Sequence, residues 1–221
     1  AIIPARMGSK RIKKKNIKIF CGKPIIYYSI LTAKLSGIFD HVYVSTDSKE
    51  IASMSIKFGA EVPFLRSKNL SKDNVGIIKV ISNTLKKLKI NSDKLTKVCC
   101  IYPAAPMLKK KYLMQGYEKL KKNYDYVLSV NNVDQRVLRG FFSKDKLLLP
   151  LNKKTKNMRS QQLNKLYVDA GQFCWGFARS WLKNKGCHEL RSTFIEIPEK
   201  YSQDIDTIHD WKIAIKKYKN I

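Results

Sequence analysis

The chain is poor in several things, and each shortage narrows what it can be. Only 17 of its 221 residues are acidic, against 44 Lys and Arg. Its three histidines (His41, His188, His209) are scattered, and no Ser/His/Asp or Cys/His arrangement stands out for nucleophilic catalysis. The five cysteines (Cys21, Cys99, Cys100, Cys174, Cys187) include no CxxC pair, which argues against a zinc ribbon or a redox motif. They read as small buried apolar residues of a reducing compartment, so a cytoplasmic protein is expected. The Cys187-His188 neighbour is a remote metal or redox option. No apolar run approaches the ~20 residues of a membrane span, no signal-peptide pattern is visible, and no membrane partner is expected. GxxxxGK[ST] and GxGxxG are both missing, so any nucleotide must be held by another kind of loop.

The net charge of +27 has two readings. A basic protein gains affinity for nucleic acid through counterion release. Here, however, the lysines are spread over every segment (KKLK, LKKKY, KLKKN, NKKTKN, IKKYKN), and no RNP-type interleaving of aromatics occurs. Solvated surface lysine, with a field that attracts small anionic substrates, is the better account; no nucleic-acid partner is expected.

What is present is a regular alternation of hydrophobic period between two and 3.6. AII (1–3), HVYVST (41–46), EVPFL (61–65), KVCCIY (97–102), YVLSV (126–130), GQFCWGF and TFIEIP read as strands. Between them lie helical patterns. PIIYYSILTAKLSG carries Ile26, Ile30 and Leu31 inward, and KEIASMSIKFG is capped by Asp47 or Ser48. NVGIIKVISNTLKKL sets Ile77, Ile81, Leu85 and Leu88 on one side. MLKKKYLMQGYEKLKKN and IHDWKIAIKKY follow. Pro63 marks 61–65 as an edge strand, and the unbroken apolar KVCCIY as a central parallel one. The fold class is therefore α/β: a mostly parallel sheet sandwiched by helices. One domain is expected over 1–130 and 169–221. Regularity fails over 131–168, where hairpin-like pieces (RVLRGFFS, KLLLPLN) precede a polar run; an excursion of that length is usually functional or makes an interface.

Ligands of such sheets collect at the carboxyl ends of strands, and three clusters fall there: PARMGSKRIKKKN, YPAAP and YSQDIDT. The first puts Gly8, Ser9 and six cations (Arg6, Lys10, Arg11, Lys13, Lys14, Lys15) on a turn, donors suited to polyphosphate oxygens. A solvated charged loop is the plain alternative. In the last, Asp204 and Asp206 point to one side of an extended segment. Two close carboxylates repel unless a cation lies between them, and Mg²⁺ commonly takes one or two carboxylates plus substrate phosphates. The plain alternative is a cap on the last helix, by Asp206 or Thr207, which explains one acid and leaves the other without a role. Cations and a carboxylate pair at the same sheet end suggest a nucleoside-triphosphate site.

These residues also carry a resemblance. IPARMGSKRIKKKNIKIFCGKPII is similar to the N-terminal signature of the cytidylyltransferases that activate nonulosonic acids, the group of the CMP-sialic acid synthetases, whose form is close to IPARGGSKRIPRKNIK followed by GKP. VSTDSKEIA, FGAEVPFLR, LSKDN, CCIYPAAP, DAGQFCWG and SQDIDT follow in the family's order, so the resemblance spans nearly the whole chain. Arg11, CCIYPAAP and DAGQFCWG most resemble the branch that acts on pseudaminic acid; sialic and legionaminic acids are the alternatives. The resemblance implies a nucleotide-diphospho-sugar transferase-like fold and a homodimer in which 131–168 is a dimerisation arm. It implies CTP and a nonulosonic acid as substrates, Mg²⁺ as cofactor, and attack of the sugar's anomeric hydroxyl on the α-phosphate. It further implies that Arg6, Ser9, Lys15, Asn16, Arg66 and Asp73 bind the nucleotide. Tyr102, Arg159, Asp169, Gln172 and Phe173 would bind the sugar, Asp204 and Asp206 the metal, and Lys15, Arg6, Asp204 and Asp206 would be catalytic. Two positions depart from the family form: Met7 replaces a Gly, a cost if the backbone there needs φ > 0, and Lys13 replaces a Pro.

Overall fold

Period-two alternation is realised strand by strand in the computed structural model, which describes residues 1–90 and 95–221. In chain order the elements are β1 (Ile2–Pro4), β2 (Ile19–Phe20), β3 (Lys23–Pro24), α1 (Ile25–Ser36), β4 (Tyr43–Ser45), α2 (Lys49–Lys57), α3 (Ile77–Lys87) and β5 (Lys97–Ile101). Then come α4 (Lys110–Lys119), β6 (Tyr126–Val133), β7 (Phe141–Lys144), β8 (Leu147–Pro150), β9 (Leu166–Phe177), α5 (Ala178–Leu182), β10 (Ser192–Glu196) and α6 (Ile208–Lys219).

Six strands form one sheet in the order β10-β6-β9-β5-β1-β4. Three neighbouring pairs are parallel, while β9 runs antiparallel to both β5 and β6. The sheet is thus mostly parallel, with one reversed strand at its centre, so KVCCIY has a parallel neighbour on one side only. Successive residues of β1 and β5 face opposite layers. Ile3, Cys99 and Ile101 pack with Ile26 and Ile30 of α1 and Leu113 of α4. Ile2, Val98 and Cys100 pack with Ile81 and Leu85 of α3 and Trp181 of α5. A third cluster seats α6 through Trp211 and Ala214 against Phe20, Ile25, Tyr28 and Ile12. Leu31, expected to face inward, is only half-buried, because the apolar face of α1 is carried by Ile25, Ile26, Ile30 and Ala33.

Two expectations change in detail. EVPFL makes only isolated parallel bridges at Glu61 and Leu65, since Pro63 between them has no N–H to donate. Residues 131–168 contain the β7–β8 hairpin, a sheet of its own, whereas their two ends continue β6 and β9: Asn131 pairs with Val168 and Val133 with Leu166. The hairpin leaves Phe141, Phe142, Leu147 and Leu148 exposed. Among the described residues, no helix is long and apolar enough to cross a membrane.

The two-residue turn joining β2 to β3 places Cys21 (φ 44°) and Gly22 (φ 90°) in left-handed backbone, where Asn-Gly is the favoured pair. Tyr28 Oη bonds the carbonyls of Phe20 and Cys21 and holds that turn. Cys21 is exposed. Replacing it with Asn is expected to stabilise the protein by about 0.5–1 kcal/mol, because Asn tolerates the left-handed region better than Cys. Urea unfolding of the Cys21→Asn variant measures this; a lower midpoint would show that the thiol contributes more than the turn conformation.

Candidate active site

A cleft of about 610 Å³ opens at the carboxyl ends of β1 and β5, beside the segment that leads into α6. The loop after β1 forms one wall. Ile12, 1% exposed, is buried with Phe20 and Trp211, and this anchors the loop while its charged neighbours stay outside. A single 3-10 turn, Lys15–Ile17, follows Lys14, which adopts left-handed backbone at φ 53°. Asn16 is buried and donates from Nδ2 to Arg6 O at 2.8 Å, closing the loop on itself; its Oδ1 has no protein partner. Met7 is outside the left-handed region. Its N–H donates to Asp47 Oδ1 at 3.0 Å and its side chain packs on the core, so its replacement of Gly strains nothing. Asp47 is thereby used by the loop, and Ser48 is the cap of α2.

The opposite wall is the extended run through Asp204-Ile205-Asp206. Ile205 is buried, so both carboxylates open on the cleft. Thr207, reciprocated by Asp210, caps α6 and leaves the two aspartates free of capping. Lys15 Nζ spans the cleft to Ile205 O (2.6 Å) and Asp206 Oδ1 (3.4 Å), and Arg11 Nη1 reaches Asp206 Oδ2 at 2.9 Å. Asp204 has no such partner among the described residues. Burial first, then the carboxylate of Asp206, push its carboxyl above the ordinary range, against the pull of Lys15. The floor is Tyr102 and the start of β9. Tyr102 Oη donates to Asp169 Oδ2 at 3.3 Å, and Gly171 N–H donates to Asp169 Oδ1 at 2.8 Å. Burial, then Cys100 and Asp169, drive the Tyr102 phenol far up, so it stays a donor. Gly171 (φ 63°) turns the chain beside Asp204, whose Oδ1 a Cβ there would meet at 3.7 Å.

The remaining side is Arg66 and the segment after it. Arg66 is buried, and its Nε donates to Ser71 Oγ at 3.0 Å. Burial lowers its guanidinium's pKa; Asp47 opposes this and Arg6 adds to it. Asp73 bridges Arg6 and Lys10.

Of the residues expected in the site, Arg6, Ser9, Lys15, Asn16, Arg66, Asp73, Tyr102, Asp169, Asp204 and Asp206 line this one cleft. Three do not. Phe173 pairs with Ile101 across β5–β9, and its ring belongs to the core. Gln172 turns inward and donates to Tyr201 O, supporting the segment that carries the aspartates. Arg159 is exposed within the excursion and is not among the cleft residues of its own chain. Lys10 and Arg11, expected only as members of the cationic turn and given no role of their own, also line the cleft, and so does Lys72, which was not singled out. Their signal was only that of cations in a chain full of them. The histidines are elsewhere: His41, for example, lies 3.0 Å from Glu61 at the surface.

A statistical model of the cytidylyltransferase family matches residues 1–220. The chain belongs to the cytidylyltransferase family. It is 40% identical, over 99% of its length and 95% of the relative's, to the pseudaminic acid cytidylyltransferase of Campylobacter jejuni. It is also 30% identical, over 98% and 94%, to the CMP-N,N'-diacetyllegionaminic acid synthase of Legionella pneumophila. Among solved structures, CMP:2-keto-3-deoxy-manno-octonic acid synthetase complexed with CTP superposes with a TM-score of 0.72 at 13% identity, covering 99% of this chain and 97% of that one. This fold is thus that of the nucleotide-diphospho-sugar transferases, and this cytidylyltransferase is a nucleotidyltransferase enzyme.

Because ionised Asp204 is disfavoured in the folded cytidylyltransferase, Asp204→Asn is expected to raise the thermal midpoint by about 1–2 °C at neutral pH, the scale of one screened charge in a chain this size. A raised carboxyl pKa leaves the folded state unpenalised below the ordinary carboxylate range and penalised above the folded value. The gain should therefore vanish near pH 3. Calorimetry at both pH values, with chelator present, tests it; a loss of stability at neutral pH would show that the Asp204 carboxylate stabilises the fold.

Proposed function

We propose that this enzyme couples CTP to pseudaminic acid, giving CMP-pseudaminic acid and pyrophosphate. The observation that carries the reading is one cleft in which the cations after β1 face Asp204 and Asp206, in a chain 40% identical over nearly its full length to a pseudaminic acid cytidylyltransferase. The anomeric hydroxyl oxygen attacks the α-phosphorus and the bond to the β-phosphate oxygen breaks. Pyrophosphate leaves in line, and the hydroxyl proton passes to one of the two aspartates. Such a reaction asks the protein mainly for positioning and charge neutralisation. In this reading Lys15, which spans both walls, meets the reacting phosphate, and Arg6 and Ser9 meet the outer phosphates. Asn16 Oδ1, an unused buried acceptor, and Arg66 suit the base and ribose. Asp169, held by Tyr102 and the Gly171 N–H, is an acceptor for donors on the sugar.

A divalent cation fits this cleft. Asp204 and Asp206 face the same space with the Ile205 side chain packed in the core, and burial, then the Asp206 carboxylate, make ionisation of Asp204 unfavourable; a cation relieves the second of these. Asp204 and Asp206 would hold Mg²⁺, which supplies Lewis-acid polarisation of phosphate oxygens. We further propose a homodimer formed through the β7–β8 hairpin, whose exposed Phe141, Phe142, Leu147 and Leu148 make an apolar patch unusual for a free surface. A cytoplasmic location agrees with the free cysteines and with CTP as substrate.

Pyrophosphate release with CTP and Mg²⁺ tests the reading, with pseudaminic, legionaminic and N-acetylneuraminic acids offered in parallel. Release with pseudaminic acid alone is expected. Chelator should abolish it, Asp204→Ala should reduce it to background, and Lys15→Ala should lower kcat about 100-fold or more. Release with another of the sugars would keep the mechanism and change the substrate. For the dimer, light scattering should show two chains in wild type and one in a Phe141→Ser/Leu148→Ser double variant; a wild-type monomer would remove that proposal.

A further inference from the structure

The outer cations of the phosphate wall are already engaged. Arg6 Nη1 bonds Asp73 Oδ1, and Lys10 Nζ lies 2.6 Å from Asp73 Oδ2. Both carboxylate oxygens are thus taken by cations, and Arg6 Nη1 also lies 3.4 Å from Ser71 O. A carboxylate bridging an arginine and a lysine uses the same donors, in much the same geometry, as two oxygens of a phosphate. Asp73 is also differently placed from Asp206, the other cleft acid paired with the loop. Asp206 sits on the metal side with Arg11 and Lys15. Asp73 lies on the far side, beyond a segment pinned from behind by Arg66 through Ser71 and by Ser71 Oγ on Ser67 O. Its side chain is 43% exposed, so the carboxylate can leave the cations by rotating into solvent.

We propose that Asp73 is an internal anion that competes with the outer phosphates of the nucleotide, and then with pyrophosphate, for Arg6 and Lys10. In this role it sets how weakly the leaving group is held, rather than binding the nucleotide as the resemblance implied. The proposal rests on reading the cleft as a triphosphate site. Two consequences are physical. A phosphate must displace a carboxylate from two cations instead of meeting them free, which lowers affinity for any polyphosphate. After the reaction, the same carboxylate returns as pyrophosphate dissociates, so the cations are never left unpaired and release is favoured. A like charge placed beside a departing anion also repels it. An isosteric neutral residue removes both effects while keeping the side chain's volume.

The test is calorimetric titration of the full chain with pyrophosphate and, separately, with CTP, in wild type, Asp73→Asn and Asp73→Glu. Asp73→Asn is expected to bind pyrophosphate about five-fold tighter, the factor that corresponds to one exposed ion pair. Product inhibition by pyrophosphate should strengthen by the same factor. Asp73→Glu, which keeps the charge, should stay within about two-fold of wild type, again on the scale of exposed pairs. Pyrophosphate affinity unchanged or weakened in Asp73→Asn overturns the proposal. If CTP still binds all three proteins in that case, the triphosphate site stands and only the role of Asp73 falls. If CTP binds none of them, both fall together. Should Asp73→Asn not fold, Asp73→Ser is titrated in its place under the same criteria.

Discussion

The cleft depends on a balance of charge between two walls that the chain brings together from opposite ends. Arg6, Lys10, Arg11, Lys15, Arg66 and Lys72 line it, and so do Asp73, Asp169, Asp204 and Asp206. Four of the 17 acidic residues of a strongly basic chain are therefore gathered at one sheet end. The four cations on the loop after β1, Arg6, Lys10, Arg11 and Lys15, would repel one another if left alone. Asp73 pairs with the first two and Asp206 with the last two, and such pairings are exchangeable, because exposed ion pairs are weak and a phosphate suits the same donors. A site built this way can be ordered before its substrate arrives and still yield to it. Asp204, which makes no ion pair among the described residues, is the acid whose ionisation the fold resists, and the proposed divalent cation would act there.

Most of the architecture could be read from hydrophobic period. The strands at 1–3, 97–102 and 126–130 and the helices beginning near 25, 49 and 77 appear close to where alternation and capping residues place them. What period could not reveal was direction. GQFCWGF has the apolar run of a buried strand, and nothing in it says that it lies antiparallel between β5 and β6. That depends on how the chain returns from the excursion, a property of residues far from the strand itself. Leu31 shows the reverse limit: an apolar residue on a helix is not thereby in the core when its neighbours already fill the buried face.

The site was legible to the extent that side-chain direction follows from local geometry. Asp204 and Asp206 share a side because residues two apart in extended chain do, with Ile205 buried as the alternation requires. Gln172 and Phe173 lie off the cleft for a reason of the same kind. Asp169 is at the cleft, but Gly171 turns the chain, and pairing of Ile101 with Phe173 sends that ring into the core. Sequence adjacency to a site residue therefore carried no information across that turn. Lys72 was hidden by composition, and Lys10 and Arg11 had no role apart from their turn, since a cation in a chain with 44 of them is not a signal until its partner is known. Met7 shows why a departure from a family pattern is a question about backbone and not about size: where φ is negative and the side chain has a core to join, a Gly position accepts methionine.

The reversed strand β9 also explains how an excursion so far from the cleft in sequence stays mechanically attached to it. β6 and β9 run together past the sheet, from the Tyr126–Gly176 pair to the Val133–Leu166 pair, and the hairpin grows from their far end. The same β9 supplies Asp169 and Gly171 to the cleft floor. Where β6 enters the excursion, Asn131 donates to Ile197 O at 2.7 Å, and Ser202 Oγ bonds Asn131 Oδ1 at 2.8 Å and Ala170 O at 3.0 Å. These buried bonds fix the segment that ends in Asp204 to the root of the excursion. The segment leading to the carboxylate pair is thus anchored from behind by a side-chain amide and a hydroxyl.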